Sequence, residues 1–187
     1  MMHALAMKFT PTQIPDVILI KPEVYSDARG FFYESYSRQM FSQHHIPIEF
    51  VQDNHSCSLR GVLRGLHFQI EPKAQAKLVR VSKGKIFDVA VDIRRNSPTF
   101  GRYVSSILSA ENKHLLYVPT GFAHGFCVLE DGTEVLYKTS EFYSPEHERG
   151  IIWNDPSLAI AWPKLEGDYF ISDKDKKFPA LKEIFHD

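Results

Sequence analysis

Apolar and polar positions alternate with a period of two along much of this chain, which predicts strands rather than helices. The clearest case is 86–93, where Phe87, Val89, Val91 and Ile93 share one face and Asp88, Ala90 and Asp92 the other. Runs of the same kind predict strands over 17–20, 62–69, 77–82, 86–93, 103–108, 115–118, 125–130 and 134–139. Turn signals separate them at Ser82-Lys83-Gly84-Lys85, Arg95-Asn96-Ser97-Pro98, Pro119-Thr120-Gly121 and Glu130-Asp131-Gly132-Thr133. Helical signal is confined to 37–44 and 179–185, where Pro179 suits a first helical position. With no repeat and no Pro/Gly/Ser linker, one all-β domain is expected, a sandwich or barrel over about residues 12–170 with short peripheral helices.

Composition narrows the function. The 187 residues suffice for one good-sized core, and 43% apolar with 24% charged residues excludes disordered and collagen-like classes. Lys plus Arg number 22 against 23 acidic residues, a net charge of -1, so no whole-chain field draws nucleic acid or an anionic membrane. Any bound anion must meet a local basic cluster. No apolar run reaches the ~18 residues of a membrane span, and residues 1–10 lack the apolar stretch of a signal peptide, so a cytoplasmic protein is expected. Cys57 and Cys127 have no CxxC spacing and read as buried free thiols.

Two segments place polar groups in runs otherwise fit for burial: Gly61-Val62-Leu63-Arg64-Gly65-Leu66-His67-Phe68-Gln69 and Pro119-Thr120-Gly121-Phe122-Ala123-His124-Gly125-Phe126. Buried polar groups need partners or a purpose. Strict alternation puts Arg64 and His67 on opposite faces, but a bulge at Gly65 would re-aim one of them. Arg29, Arg64, Lys77 and Arg80 together could hold a diphosphate, and Tyr137 or Tyr143 could donate a phenolic proton at neutral pH. Residue types alone leave the plainer readings open: a core histidine, solvated charges, rim tyrosines.

These segments resemble the dTDP-4-dehydrorhamnose 3,5-epimerases, cupin-type jelly rolls that act on deoxysugar nucleotides. The resemblance runs in order through Asp27-Ala28-Arg29-Gly30-Phe31-Phe32-Tyr33-Glu34, Phe50-Val51-Gln52-Asp53-Asn54-His55-Ser56, the first segment above, Gln75-Ala76-Lys77-Leu78-Val79-Arg80, the second segment, Leu136-Tyr137-Lys138 and Gly150-Ile151-Ile152-Trp153-Asn154-Asp155-Pro156. It covers about residues 12–175. It implies His67 as the base that removes the sugar C3 and C5 protons, with an aspartate orienting it, Asp175 being favoured over Asp173. It implies Tyr137 as the proton donor on the opposite ring face and Lys77 as the cation at the C4 enolate oxygen. Arg29, Glu34, Gln52, Asn54, Arg64, His124 and Tyr143 are implied to line the site for a dTDP-sugar. No cofactor and no metal are implied. A homodimer is, with Arg29 and Glu34 completing the partner's site.

Two rivals stand beside this reading. A metal-dependent cupin would use His67, His124 and further ligands, but Gln69 occupies the place of the second histidine of the His-x-His half-motif. A non-enzymatic sugar-binding jelly roll would explain basic residues without requiring His67, Lys77 and Tyr137 together. Within the family, relatives act at both C3 and C5 or at one alone, and the intact Tyr137 points to both.

Overall fold

The computed structural model describes residues 7–184. Its strands are β1 (Met7–Pro11), β2 (Ile18–Pro22), β3 (Tyr25–Asp27), β4 (Gly30–Phe32), β5 (Gln52–Ser58), β6 (Leu63–Gln69), β7 (Lys77–Lys83), β8 (Lys85–Asp92), β9 (Tyr103–Ser109), β10 (Leu115–Val118), β11 (Phe122–Val128), β12 (Thr133–Thr139) and β13 (Glu148–Gly150). The helices are α1 (Arg38–Gln43) and α2 (Leu181–Ile184).

A six-stranded sheet in the order β1-β2-β10-β7-β12-β5 faces a five-stranded sheet in the order β13-β6-β11-β8-β9, and β3 pairs β4 as a separate hairpin. All named strand pairs are antiparallel. This is the expected all-β jelly-roll sandwich with short peripheral helices. Between the sheets lie Val79, Val81, Leu116, Val118 and Val135 of one and Ile86, Ala90, Leu108, Phe122, Phe126 and Val128 of the other. β-branched and aromatic side chains fill such a layer well, and their burial supplies most of the drive to fold.

The alternation in β8 is as predicted, but both of its faces are covered. Ile86, Asp88, Ala90 and Asp92 are buried, and so are Val89 and Val91, which pack outward with Ile151, Leu158 and Leu181 in a second cluster. The polar-looking face therefore belongs to the sandwich interior, where Asp88 and Asp92 are both 0% exposed.

Several details differ from expectation, among them the short strands β1, β3, β4 and β13, which the pattern did not predict. The strand predicted over 125–130 is Phe122–Val128, because Gly121 (φ +80°) closes the turn and pairing with β8 begins at Phe122. β5 went unpredicted because both of its faces are polar: Gln52, Asn54 and Ser56 are half-buried while Asp53, His55 and Cys57 are exposed. Cys57 is thus an exposed thiol, not a buried one, whereas Cys127 is buried and its thiol is pushed up to about 11. Pro179 precedes α2 rather than starting it, its carbonyl accepting from Ile152 N–H while Ala180 N–H is capped by the Glu183 side chain. Phe185 lies outside the described residues. The first helix agrees, with Ser37 Oγ accepting from Met40 N–H at its N-cap.

Candidate active site

One end of the sandwich interior opens as a cleft of about 310 Å³ lined by Gln52, Asn54, His67, Lys77, Tyr137 and Tyr143, among others. A contiguous pocket adds Arg64 and His124. The inward positions of five strands converge there: Tyr137 lies opposite Asn54 across β12 and β5, Thr139 opposite Lys77 across β12 and β7, and His124 opposite His67 across β11 and β6.

A bulge brings Arg64 and His67 to the same cavity. The register of β6 against β11 slips between His67↔His124 and Arg64↔Phe126, so Gly65 and Leu66 oppose the single Gly125. Gly65 has φ +125°, and a Cβ there would stand 2.6 Å from Gly125 Cα and 2.8 Å from the His124 carbonyl. Only glycine fits that approach. The Arg64 guanidinium donates to Ser58 Oγ at 3.1 and 3.3 Å.

His67 Nε2 donates to Asp175 Oδ1 at 2.9 Å, and the other carboxylate oxygen accepts Gly65 N–H at 3.1 Å. Burial alone would push Asp175 up, but these hydrogen bonds hold its carboxyl below the usual carboxylate range. An ionised acceptor on Nε2 fixes the proton there and leaves the Nδ1 lone pair to take a proton. Asp173 instead pairs with Lys176 at 3.6 Å and is exposed, so the histidine's partner is Asp175. Phe178 closes the far side of the dyad, its ring edge-on to His67 at 5.6 Å.

Lys77 Nζ lies 3.4 Å from the His67 carbonyl. Burial pushes its pKa down to about 8, opposed by the charges of Asp88 and Glu148. The Tyr137 phenol is raised, first by burial and further by Glu148, with Arg64 pulling the other way, so it stays protonated at neutral pH. His124 is buried, with Nε2 at 3.0 Å from both oxygens of Asp88.

Arg29 and Glu34 are not brought to this cleft. Arg29 sits on the exposed β3–β4 hairpin, forked onto Asp27, in a separate cavity with Tyr25, Phe31 and Phe32. Arg80 also stays away: three residues on from Lys77 along β7, it falls on the outer face beside Leu78, Leu136 and Lys138.

Neither Glu148 nor Asp88 was among the expected site residues. Glu148 accepts from Tyr143 Oη and Lys174 Nζ, both at 2.8 Å, and its carboxyl is lowered by these bonds against the opposing effect of burial. No signal near Glu148 in the sequence marks it. Asp88 was visible as an aspartate in an apolar strand facing the same way as Ala90, a sign of an interior polar partner.

The family model described as dTDP-4-dehydrorhamnose 3,5-epimerase matches residues 11–183. The dTDP-4-dehydrorhamnose 3,5-epimerase of Pseudomonas aeruginosa is 56% identical over 180 residues, covering 95% of this chain and 97% of that one. The structure of dTDP-6-deoxy-D-glucose-3,5-epimerase from Legionella pneumophila in complex with dTDP-4-keto-L-rhamnose superposes with a TM-score of 0.93 at 48% identity, covering 96% of this chain and 95% of that one. A 3'-monoepimerase from Streptomyces bikiniensis, 34% identical, superposes with a TM-score of 0.87 over 92% of this chain and 87% of that one. It was solved with dTDP as a double mutant with a histidine changed to asparagine and a tyrosine to phenylalanine. Those two positions are as far apart in its chain as His67 and Tyr137 are here.

Proposed function

Because this chain belongs to the dTDP-4-dehydrorhamnose 3,5-epimerase family, we propose that His67, Asp175, Lys77 and Tyr137 form its catalytic group, on a dTDP-4-keto-6-deoxy sugar held in the cleft. The protein is an isomerase of dTDP-rhamnose biosynthesis that inverts two centres. The observation that carries the residue assignment is the convergence of a carboxylate-held imidazole, an ammonium and a protonated phenol on one cavity.

The chemistry follows from these groups. His67 Nδ1 takes the proton from the carbon beside the ketone, and its imidazolium is stabilised by Asp175. The electron pair moves onto the C4 oxygen, where the Lys77 ammonium offsets the developing charge, the kind of electrostatic term that dominates many enzymatic rates. Tyr137 returns a proton from the other face of the ring, leaving the centre inverted, and exchange with water restores acid and base. The same cycle at the second carbon completes the double epimerisation.

Gln52, Asn54, Arg64, His124 and Tyr143 line the substrate cavity in this reading. We assign Arg29 and Glu34 to the cleft of a partner subunit in a homodimer. The hairpin's Phe31 and Phe32, each 62% exposed, and its lining of a cavity separate from its own cleft support that arrangement. Each chain contributes a single jelly-roll domain. Among the described residues no helix is long and apolar enough to cross a membrane, and the substrate is a soluble nucleotide sugar, which fits a cytoplasmic enzyme. Neither cofactor nor metal enters the scheme. The Gln69 amide, at the place of the second histidine of the metal-binding half-motif, is held by backbone groups through both its nitrogen and its oxygen.

The test is proton NMR of chelator-treated protein with dTDP-4-keto-6-deoxy-D-glucose in heavy water. Deuterium is expected at both C3 and C5. Entry at one carbon alone would reduce the activity to a single centre, and exchange only after metal is restored would overturn the scheme.

A further inference from the structure

The segment from Glu141 to Ser144 carries Tyr143 into the cleft, yet no side chain from 141 to 149 is buried, and Phe142 and Tyr143 are 59% and 54% exposed. Apolar packing therefore does not place it. Three glutamine side chains do, each bonded to its backbone. Gln75 Nε2 donates to the Glu141 carbonyl at 2.7 Å. Gln52 Oε1 accepts Tyr143 N–H at 3.0 Å. Gln69 spans the segment, Nε2 donating to the Phe142 carbonyl at 3.2 Å and Oε1 accepting Ser144 N–H at 2.8 Å.

Of the three, Gln69 alone bonds on both sides of Tyr143. Its second amide hydrogen goes to the Lys73 carbonyl at 2.6 Å, tying in the loop after β6. Carbonyls surround the nitrogen and an N–H meets the oxygen, so the partners themselves fix the orientation of the amide. It is 7% exposed at the inner end of β6, two residues from His67. An amide that is buried and fully bonded in this way is costly to replace and holds its neighbours in one geometry.

We propose that Gln69 is a positioning residue for substrate binding, acting through Tyr143. By clamping the backbone on both sides, it sets where the Tyr143 ring stands over the cleft and holds Tyr143 Oη at 2.8 Å from Glu148. Gln69 also lines the cleft, but its amide is committed to backbone partners. This inference rests on the reading of the cleft as the dTDP-sugar site.

The test compares Gln69→Met, Tyr143→Ala and the double variant, measuring kcat and KM for the keto sugar and the Kd of dTDP by calorimetry. Gln69→Met keeps the length of the side chain and removes its hydrogen bonds. It is expected to raise KM and the dTDP Kd about tenfold while kcat stays within about threefold. Added to Tyr143→Ala it is expected to change neither constant further, since residues that act through one another are not additive. Gln69→Met that leaves KM and Kd unchanged, or that raises them as much without Tyr143 as with it, overturns the proposal. Gln69→Met that lowers kcat with KM unchanged also overturns it, by making the residue a support for His67. A wild-type protein that binds dTDP but exchanges no sugar hydrogens would refute the catalytic reading, and the clamp would then stand or fall on the dTDP constants.

Discussion

His67 Nε2 and Asp175 Oδ1 meet at 2.9 Å although 108 residues separate them in the chain. The same carboxylate accepts the backbone N–H of Gly65, the bulge residue that turns His67 toward the cleft. One side chain thus fixes both the tautomer of the base and the backbone that aims it.

Replacing His67 by Ala should lower turnover by about 10²–10⁴-fold, the range expected for a lost general base. Asp175→Asn should cost about 10²-fold or more, because an amide that donates to Nε2 reverses the tautomer. Both variants should keep the wild-type circular dichroism spectrum. An active His67→Ala enzyme would remove His67 from the scheme.

Tyr137→Phe separates the two halves of the reaction. The base and the cation remain, so hydrogen at the substrate carbons should still exchange with heavy water while net inversion falls much further. NMR reads both on one sample. Equal loss of exchange and inversion would argue against a donor role.

Lys77 sets the alkaline side of the pH profile. Its pKa is pushed down to about 8, so the ammonium is present below that value and lost as pH rises through it. Activity should therefore fall above about pH 8, well before an exposed lysine with a pKa of ~10.4 would lose its proton. Lys77→Arg, slower because of its different shape, should carry no such limb, since arginine keeps its charge.

The same burial gives Lys77 an opposite effect on stability. A lysine whose folded pKa lies below its unfolded value costs stability in full at pH below the folded pKa, and the cost shrinks as pH rises past that value and is gone above the unfolded one. Lys77→Met should abolish activity yet raise stability by roughly 1–3 kcal/mol at pH 7, read as an increase in Tm. A lower Tm would show that the ammonium is better paired than its surroundings indicate.

Gly65→Ala should be among the most damaging single changes. A Cβ would press on the β11 backbone at 2.6 and 2.8 Å, with φ in a region that side chains avoid. A loss of roughly 2–4 kcal/mol is expected, or failure to fold, measured by urea unfolding. A fully stable variant would mean that the bulge can relax.

The strands that pack on apolar neighbours were legible in the sequence, by alternation in β8 and by a continuous apolar run in β10. β5 was not, since its inward residues Gln52, Asn54 and Ser56 face a wet cleft and its outward residues face solvent. His67, Lys77, Tyr137 and Asp175 were reached through ordered motifs, and the bulge through a single glycine between Arg64 and His67. Glu148 and the Asp88–His124 pair depend on which strands lie side by side, and no local pattern encodes that. The place of Arg80 was available from parity alone, an odd step from Lys77. Tyr137 did not by itself indicate two centres, because a 3'-monoepimerase also has a tyrosine at the corresponding spacing from its histidine. The number of centres is read from the closely similar double epimerases.

The last strand of the sandwich ends at Gly150, while the carboxylate that holds the base arrives on the turn that begins at Asp175. Synthesis runs from the N-terminus at ~5–20 residues per second, so the strands of both sheets emerge on the order of seconds before that turn does. Through that interval the nascent protein has an imidazole with no fixed tautomer and an uncovered rear wall where Phe178 will sit. Proton abstraction is thus withheld until the turn at Asp175 has docked, and a partly folded molecule has the walls of a pocket without the base to use it.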